Sequence, residues 1–148
     1  MELHLIQPDG ELLLYQGELE LRFKVLREPL GMGRDTVRVE GERESLHLVL
    51  EEDDVVLGCL MATPEGTTGA RLRQMAVLEA RQGRGLGRQL LGVMEQHLQR
   101  FGLLEVSLHA RRYAIGFYEK LGFSCVGEVF TEVGLPHRKM VKTLPRRR

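Results

Sequence analysis

Apolar and polar positions alternate in some stretches of this 148-residue chain and recur every three to four residues in others, and the changes of period mark out its elements. Leu3 to Gln7 is a short apolar run that stops at Pro8-Asp9-Gly10, which predicts a first strand and a turn. Leu12, Tyr15, Leu19, Arg22 and Leu26 then step by threes and fours, the spacing of one helix face. Pro29 and Gly31 end that helix. Residues 31–45 are polar and charged and read as a loop with room for one helical turn.

Three strand-like runs follow. Leu46, Leu48 and Leu50 alternate with His47 and Val49, Asp53-Asp54 turns the chain into Val55–Ala62, and Thr63 to Gly69 turns it again into Ala70–Val77. These runs predict an antiparallel meander. The period then lengthens, with Leu86, Leu90, Met94, Leu98 and Phe101 on one helix face that starts near Arg84 and stops at Gly102. Leu104, Val106 and Leu108 alternate as a strand, Tyr113, Phe117 and Leu121 mark a second helix face, and Gly122 terminates it. Phe123–Val129 and His137–Leu144 are two last strands separated by Gly134-Leu135-Pro136, before a solvated tail, Arg146-Arg147-Arg148. The order is βα, then βββ, then αβαββ, with no repeat or linker, so residues 1–148 read as a single domain.

Composition narrows the function classes. Lys and Arg number 21, as do Asp and Glu, so the formal net charge is zero, which argues against a general nucleic-acid binder. Residues 1–56 nevertheless hold 14 acids and 6 bases, whereas residues 71–148 hold 15 bases and 6 acids. The basic half suits an anionic ligand, and the acidic half suits a cation. No apolar run is long enough to span a bilayer, and the first residues lack the pattern of a secretion signal, so the expected location is the cytoplasm. Cys59 and Cys125 stand apart, outside any CxxC pair, and read as half-buried free thiols. The five histidines show no HExxH spacing, so no metal site is expected.

The sharpest local feature is Gln82-Gly83-Arg84-Gly85-Leu86-Gly87, which lies between a predicted strand and a predicted helix. Glycines let backbone approach a ligand closely, and the first amides of a helix have no partner within it. The helix dipole adds positive potential there, so the loop is suited to a phosphate or pyrophosphate, with Arg81, Arg84 and Arg88 around it. It lacks the Lys-Ser/Thr pair of a Walker loop, and its GxGxG spacing differs from the dinucleotide fingerprint GxGxxG.

Gln82, Gly85 and Gly87 match the pattern Gln/Arg-x-x-Gly-x-Gly/Ala, and here the sequence resembles the GNAT superfamily of acyl-CoA-dependent N-acyltransferases. Arg73-Gln74-Met75-Ala76-Val77 is similar to that family's strand before the loop, and Ala114 to Phe123 is similar to its second hallmark, AxxFYEKxGF. Gly134-Leu135-Pro136-His137 resembles the ending of a bacterial subgroup of small acetyltransferases. The likeness covers roughly residues 70–144, and the N-terminal part follows only by element order. Two positions depart from the family pattern: Arg111 stands where many members have Asn, and Glu79 and Ala80 where many have Pro.

The resemblance implies an α+β fold with a mixed, mostly antiparallel sheet, helices on both faces and splayed strands at the cofactor site. It implies acetyl-CoA as donor and no metal. Met75, Ala76 and Val77 would offer backbone to the pantetheine arm, and Gln82, Gly83, Arg84, Gly85, Leu86, Gly87 and Arg88 would hold the pyrophosphate. Tyr118 would be the catalytic acid toward the leaving thiolate, since a phenol of ordinary pKa stays protonated at neutral pH. A backbone N–H of Val77 or Leu78 would face the developing oxyanion. Direct attack by an amine in a ternary complex requires no acetylated cysteine. Glu28, Glu128, Glu132 and His137 are candidates for a general base, with a solvated or structural role weighed against each and a water chain as the alternative.

The expected partner is a small-molecule or peptide amine, with no nucleic acid and no membrane. A homodimer is admitted but not required. A module that binds acyl-CoA as a sensor without turnover is the alternative reading. The segments around 27–45 and 128–137 are expected to decide the acceptor, and the acidic half to meet its positive charge.

Overall fold

The computed structural model describes residues 1–147; Arg148 of the predicted solvated tail lies outside them, while Arg146 and Arg147 are exposed. Seven strands form one sheet: β1 (Glu2–Ile6), β2 (Leu46–Glu52), β3 (Val55–Glu65), β4 (Gly69–Val77), β5 (Glu105–Arg111), β6 (Ser124–Glu132) and β7 (Leu135–Thr143). Their order across the sheet is β1-β2-β3-β4-β5-β7-β6, and only β4 and β5 run parallel. The helices are α1 (Leu12–Arg22), α2 (Leu86–Arg100) and α3 (Ile115–Lys120). Beyond α1 the chain continues through a π-helical segment, Phe23–Arg27, and a 3-10 turn, Glu28–Leu30, which Gly31 closes at φ 72°.

Strand alternation sends the two faces of the sheet to different helices. Leu48, Leu50 and Leu60 join Leu90, Leu91, Met94 and Leu98 of α2 in the larger core. Val49, Val56, Cys59 and Ala76 face the other way, toward Tyr15 and Leu21 of α1. Gly17 permits this second contact, because a Cβ there would stand 2.7 Å from Val56 Cγ2. Fully burying each leucine of the α2 face stabilises the fold by about 2 kcal/mol, so packing rather than helix propensity fixes both helices.

The alternating segments form strands and the three-to-four-step segments form helices, but several limits shift. Thr63-Pro64-Glu65, read as part of a turn, extends β3. By that point β2 has ended at Leu46 opposite Ala62, so the missing N–H of Pro64 interrupts no ladder. Leu135 and Pro136, likewise read as a turn, belong to β7; β5 pairs only from His137 onward, which leaves Pro136 the same freedom. The actual hairpin turn is Val133-Gly134, with φ 46° and 75°. Tyr113 precedes α3 in a 3-10 turn and is 81% exposed, so it is not part of the buried helix face. Cys59 is fully buried rather than half-buried, and Cys125 is partly exposed.

Beneath α1 lies an ionic cluster that the hydrophobic pattern did not announce. Arg22 donates from Nη1 to Glu18 Oε2 at 3.1 Å and from Nη2 to Glu42 Oε2 at 2.7 Å. His47 Nδ1 is 2.9 Å from the same Glu18 oxygen, and Tyr15 donates to Glu42 Oε1 at 2.7 Å. Glu18, Glu42 and His47 bring potential ligand atoms within 4.8 Å of one another, and the Arg22 guanidinium supplies the positive charge among them. Burial opposes charge on Glu42, yet the hydrogen bonds and charge of Arg22 hold its carboxyl down to about 2. Among the described residues, no helix is long and apolar enough to cross a membrane.

Candidate active site

Strands β4 and β5 pair from Gly69 opposite Glu105 to Leu72 opposite Leu108 and then part. The register across β3 and β4 shows how β4 turns away. Met61 lies opposite Arg73 and Cys59 opposite Ala76, so β4 carries one extra residue there. Gln74 takes up the bulge at φ 57°. The thiol of Cys59 donates to the Gln74 carbonyl at 3.4 Å, and Arg27 Nη2 donates to Gln74 Oε1 at 3.2 Å. Met75, Ala76 and Val77 follow the bulge and end β4 beside the gap.

The Leu78 amide, one of the two sequence candidates for an oxyanion donor, is already used: it donates to the Leu57 carbonyl at 2.8 Å. Alternation along an antiparallel pair turns the Val77 amide the other way, toward the gap, which leaves Val77 as the candidate.

The glycine loop leads from this strand end into α2. Gly83 and Gly85 have φ of 79° and 81°, which glycine adopts without steric cost. The helix itself starts at Leu86 rather than Arg84, because Gly85 in its left-handed conformation is the cap. Gly85 gives no side-chain cap, so the amides of Leu86, Gly87 and Arg88 keep the unpaired donors of a helix start. A cleft of about 380 Å³ opens on them, lined also by Val77, Gln82, Gly83 and Phe117. The Gln82 amide nitrogen donates to the Val77 carbonyl at 2.9 Å and ties the loop to the strand. Arg81 is spoken for by Glu52 at 2.8 Å, whereas Arg84 and Arg88 are exposed and form no ion pair among the described residues.

Tyr118 of α3 meets Met75 across the gap, with its hydroxyl 3.8 Å from the sulfur. Phe117 and Phe123 pack edge-on against the ring, at 5.0 and 5.7 Å between centroids. Burial pushes its phenol up to about 12, and thioether sulfur is a weak acceptor, so the proton stays on oxygen and remains free to be donated. Met75 and Tyr118 also line a second cavity, of about 310 Å³, on the far side of the gap from the glycine loop.

Residues 32–144 match the sequence model of the acetyltransferase (GNAT) domain. The chain belongs to the GNAT acetyltransferase family. Membership makes it an acyltransferase by class, as the hallmarks at Gln82–Gly87 and Ala114–Phe123 imply. Bacillus subtilis YyaT is 30% identical to this GNAT protein over 105 residues, 71% of this chain and 70% of that one. The uncharacterised N-acetyltransferase YitI of the same organism is 29% identical over 132 residues, 84% of this chain and 89% of its own. Among solved structures, an acyl-CoA N-acyltransferase from Pseudomonas aeruginosa superimposes with a TM-score of 0.82 at 24% identity, covering 96% of this chain and 99% of that one. An aminoglycoside 6'-N-acetyltransferase complexed with coenzyme A gives 0.80 at 21% identity and covers both chains completely. These two likenesses establish the fold.

The cavity of this GNAT protein is lined by more basic than acidic groups. Leu26, Arg27 and Val39, together with Glu132, Val133 and His137, border it, within or next to the segments 27–45 and 128–137. The acidic half, however, spends its carboxylates elsewhere: Glu18 and Glu42 on Arg22, Glu20 on Arg34, Glu52 on Arg81. Arg27, Arg71, Arg73 and Arg111 line the cavity, and Glu132 is its one carboxylate among the described residues. Of the four base candidates, Glu132 and His137 reach the cavity, while Glu28 and Glu128 are exposed and do not line it. Glu132 is shared by three groups, with His109 Nδ1 at 3.2 Å, Arg71 Nη2 at 3.6 Å and His137 Nε2 at 3.6 Å.

Proposed function

We propose that the protein, acting as one domain over residues 1–148, transfers an acetyl group from acetyl-CoA to a primary amine by direct attack in a ternary complex. The observation that carries this reading is the parting of β4 from β5 after Leu72, flanked by the open amides of α2 on one side and the Tyr118 hydroxyl on the other.

Met75, Ala76 and Val77 present strand backbone that an extended, amide-bearing pantetheine chain pairs with as an added strand would. Gln82, Gly83, Arg84, Gly85, Leu86, Gly87 and Arg88 form the pyrophosphate cradle, and its open donors and two unpaired arginines suit that dianion. The far cavity receives the amine. In the transfer, the amine nitrogen bonds to the acetyl carbon, the carbon–sulfur bond breaks, nitrogen gives up one proton and sulfur gains one. The Val77 amide is placed to stabilise charge on the carbonyl oxygen. Tyr118 is placed to donate to the departing sulfur; its raised pKa keeps it protonated at neutral pH and makes it a weaker acid than an ordinary phenol. Cys59 has no part, since burial raises its thiol well above the ordinary range.

Titration calorimetry with acetyl-CoA, run beside acetyl-transfer assays on a panel of amines, tests the reading. Binding accompanied by acetylated amine supports it. Tight binding with no transfer to any amine class selects the sensor reading instead.

A further inference from the structure

The cavity beyond the gap carries more positive charge than its walls neutralise. Among the described residues, Arg71 is the one arginine there with a carboxylate within 4 Å, and its partner Glu132 is also engaged by two histidines. Among the described residues, Arg27, Arg73 and Arg111 have no carboxylate partner. Their hydrogen bonds go to neutral acceptors. Arg27 donates to the Thr36 carbonyl at 3.3 Å and to Gln74 Oε1 at 3.2 Å, and Arg73 to the Glu40 carbonyl at 2.8 Å. Arg111 reaches only the Leu26 carbonyl, at 3.5 Å.

Arg27 is 7% exposed, so its charge sits largely out of water. Burial and the neighbouring charges of Arg22 and Arg111 all work against it. A buried guanidinium without a counter-ion is unfavourable, and the arrangement is relieved when an anion enters. The planar fork of arginine fits a carboxylate or phosphate oxyanion through paired N–H donors. Arg27 comes from the segment after α1 and Arg111 from the end of β5, yet both bond to Leu26 and its neighbours, so they converge on one corner of the cavity.

We propose that the acceptor amine carries an anionic group, a carboxylate or a phosphate, which Arg27 and Arg111 bind at this corner with Arg73 adding charge, so that the substrate is zwitterionic rather than polycationic. The amine end then extends toward Met75 and Tyr118. This inference rests on the reading of the cavity as the acceptor side. It separates this chain from a polyamine or aminoglycoside acetyltransferase, because three unpaired arginines repel a polycation.

The test uses matched amines on the full-length protein with acetyl-CoA: an amino acid against its carboxamide, and phosphoethanolamine against ethanolamine, with spermidine as the polycation. The expected kcat/KM favours the anionic member of at least one pair by about tenfold or more, and the pair that responds tells carboxylate from phosphate. Arg111→Gln should collapse that ratio by lowering the anionic substrate's kcat/KM far more than the neutral one's. A parallel thermal-shift measurement with coenzyme A and the same amines reads selectivity without turnover. Anion-selective protection without any transfer upholds this inference and overturns the proposed reaction. Transfer with equal or better rates for neutral or polycationic amines, or an Arg111→Gln ratio equal to wild type, overturns the inference and leaves the reaction standing.

Discussion

Replacing Arg22 by Met removes the guanidinium from beneath α1 while filling much of its volume. Two independent lines give the cost. Deleting one partner of a buried ion pair costs about 3–5 kcal/mol, because the other charge stays buried and unpaired. Glu42 gives the second line: its carboxyl is held at about 2 against an ordinary 4.5. At about 1.4 kcal/mol per unit, that difference corresponds to roughly 3 kcal/mol of stability at neutral pH, with Arg22 the largest contributor to the lowering and the Tyr15 and Val39 hydrogen bonds, which the variant keeps, supplying the rest. A carboxyl depressed in the folded state stabilises fully above its unfolded pKa, and the contribution is lost as pH falls toward the folded value. The gap in unfolding free energy between wild type and Arg22→Met should therefore be widest above about pH 5 and close progressively between about pH 4.5 and 2. His47 behaves oppositely: burial lowers its pKa, the hydrogen bond and charge of Glu18 outweigh this, and the net rise gives stability that fades as pH climbs through its folded value. Arg22 shares a Glu18 oxygen with His47, so this part differs between the two proteins, but below about pH 5, where the imidazole is protonated folded and unfolded, the difference does not vary with pH. Urea unfolding followed by far-UV circular dichroism from pH 7 to pH 3 measures the gap. A gap below about 1 kcal/mol at pH 7, or one that stays constant down to pH 3, would refute the reasoning. Glu42→Gln gives the same comparison if the methionine variant does not fold.

The remaining predictions concern the site and its frame. Gly85→Ala forces a side chain onto φ 81°, costing about 1 kcal/mol by chemical denaturation, and weakens coenzyme A in calorimetry; Gly92→Ala, inside α2 with open space around it, should gain about 0.5–1 kcal/mol. Val133 is a β-branched residue at φ 46° on the cavity rim, so Val133→Asn should raise stability by about 1 kcal/mol in the same assay; an unchanged midpoint would show the turn to be unstrained. Coenzyme A binding should weaken with added salt, and the Arg84→Ala/Arg88→Ala protein should lose affinity on the order of tenfold together with most of that salt dependence.

The sheet and helices were legible because alternation and three-to-four steps encode which face is buried, and burial decides both. The glycine loop was legible because Gly83 and Gly85 require positive φ, which leaves a residue signature. Gln74 adopts the same kind of φ with no such signature, so the bulge that parts β4 from β5 was available only through the family resemblance. Arg22 falls on the apolar stripe of α1, where a charge needs a partner, but nothing in the periodicity names Glu18 and Glu42 as its partners. The arginine corner left no signal. Residues 27, 73 and 111 meet only after the chain folds, and bulk charge does not reveal this basic cavity, because several N-terminal carboxylates are taken up by partners elsewhere.

The central claim, acetyl transfer across the β4–β5 gap with Tyr118 as donor to sulfur, is tested most directly by the rate of coenzyme A thiol release from acetyl-CoA plus a carboxylated amine, compared between wild type and Tyr118→Phe. The phenylalanine ring keeps the contacts with Phe117 and Phe123 and removes only the hydroxyl. The account predicts amine-dependent release by the wild type and a kcat lower by about 10²-fold or more in the variant, with acetyl-CoA affinity retained. Amine-dependent release at the same rate in both proteins would contradict it.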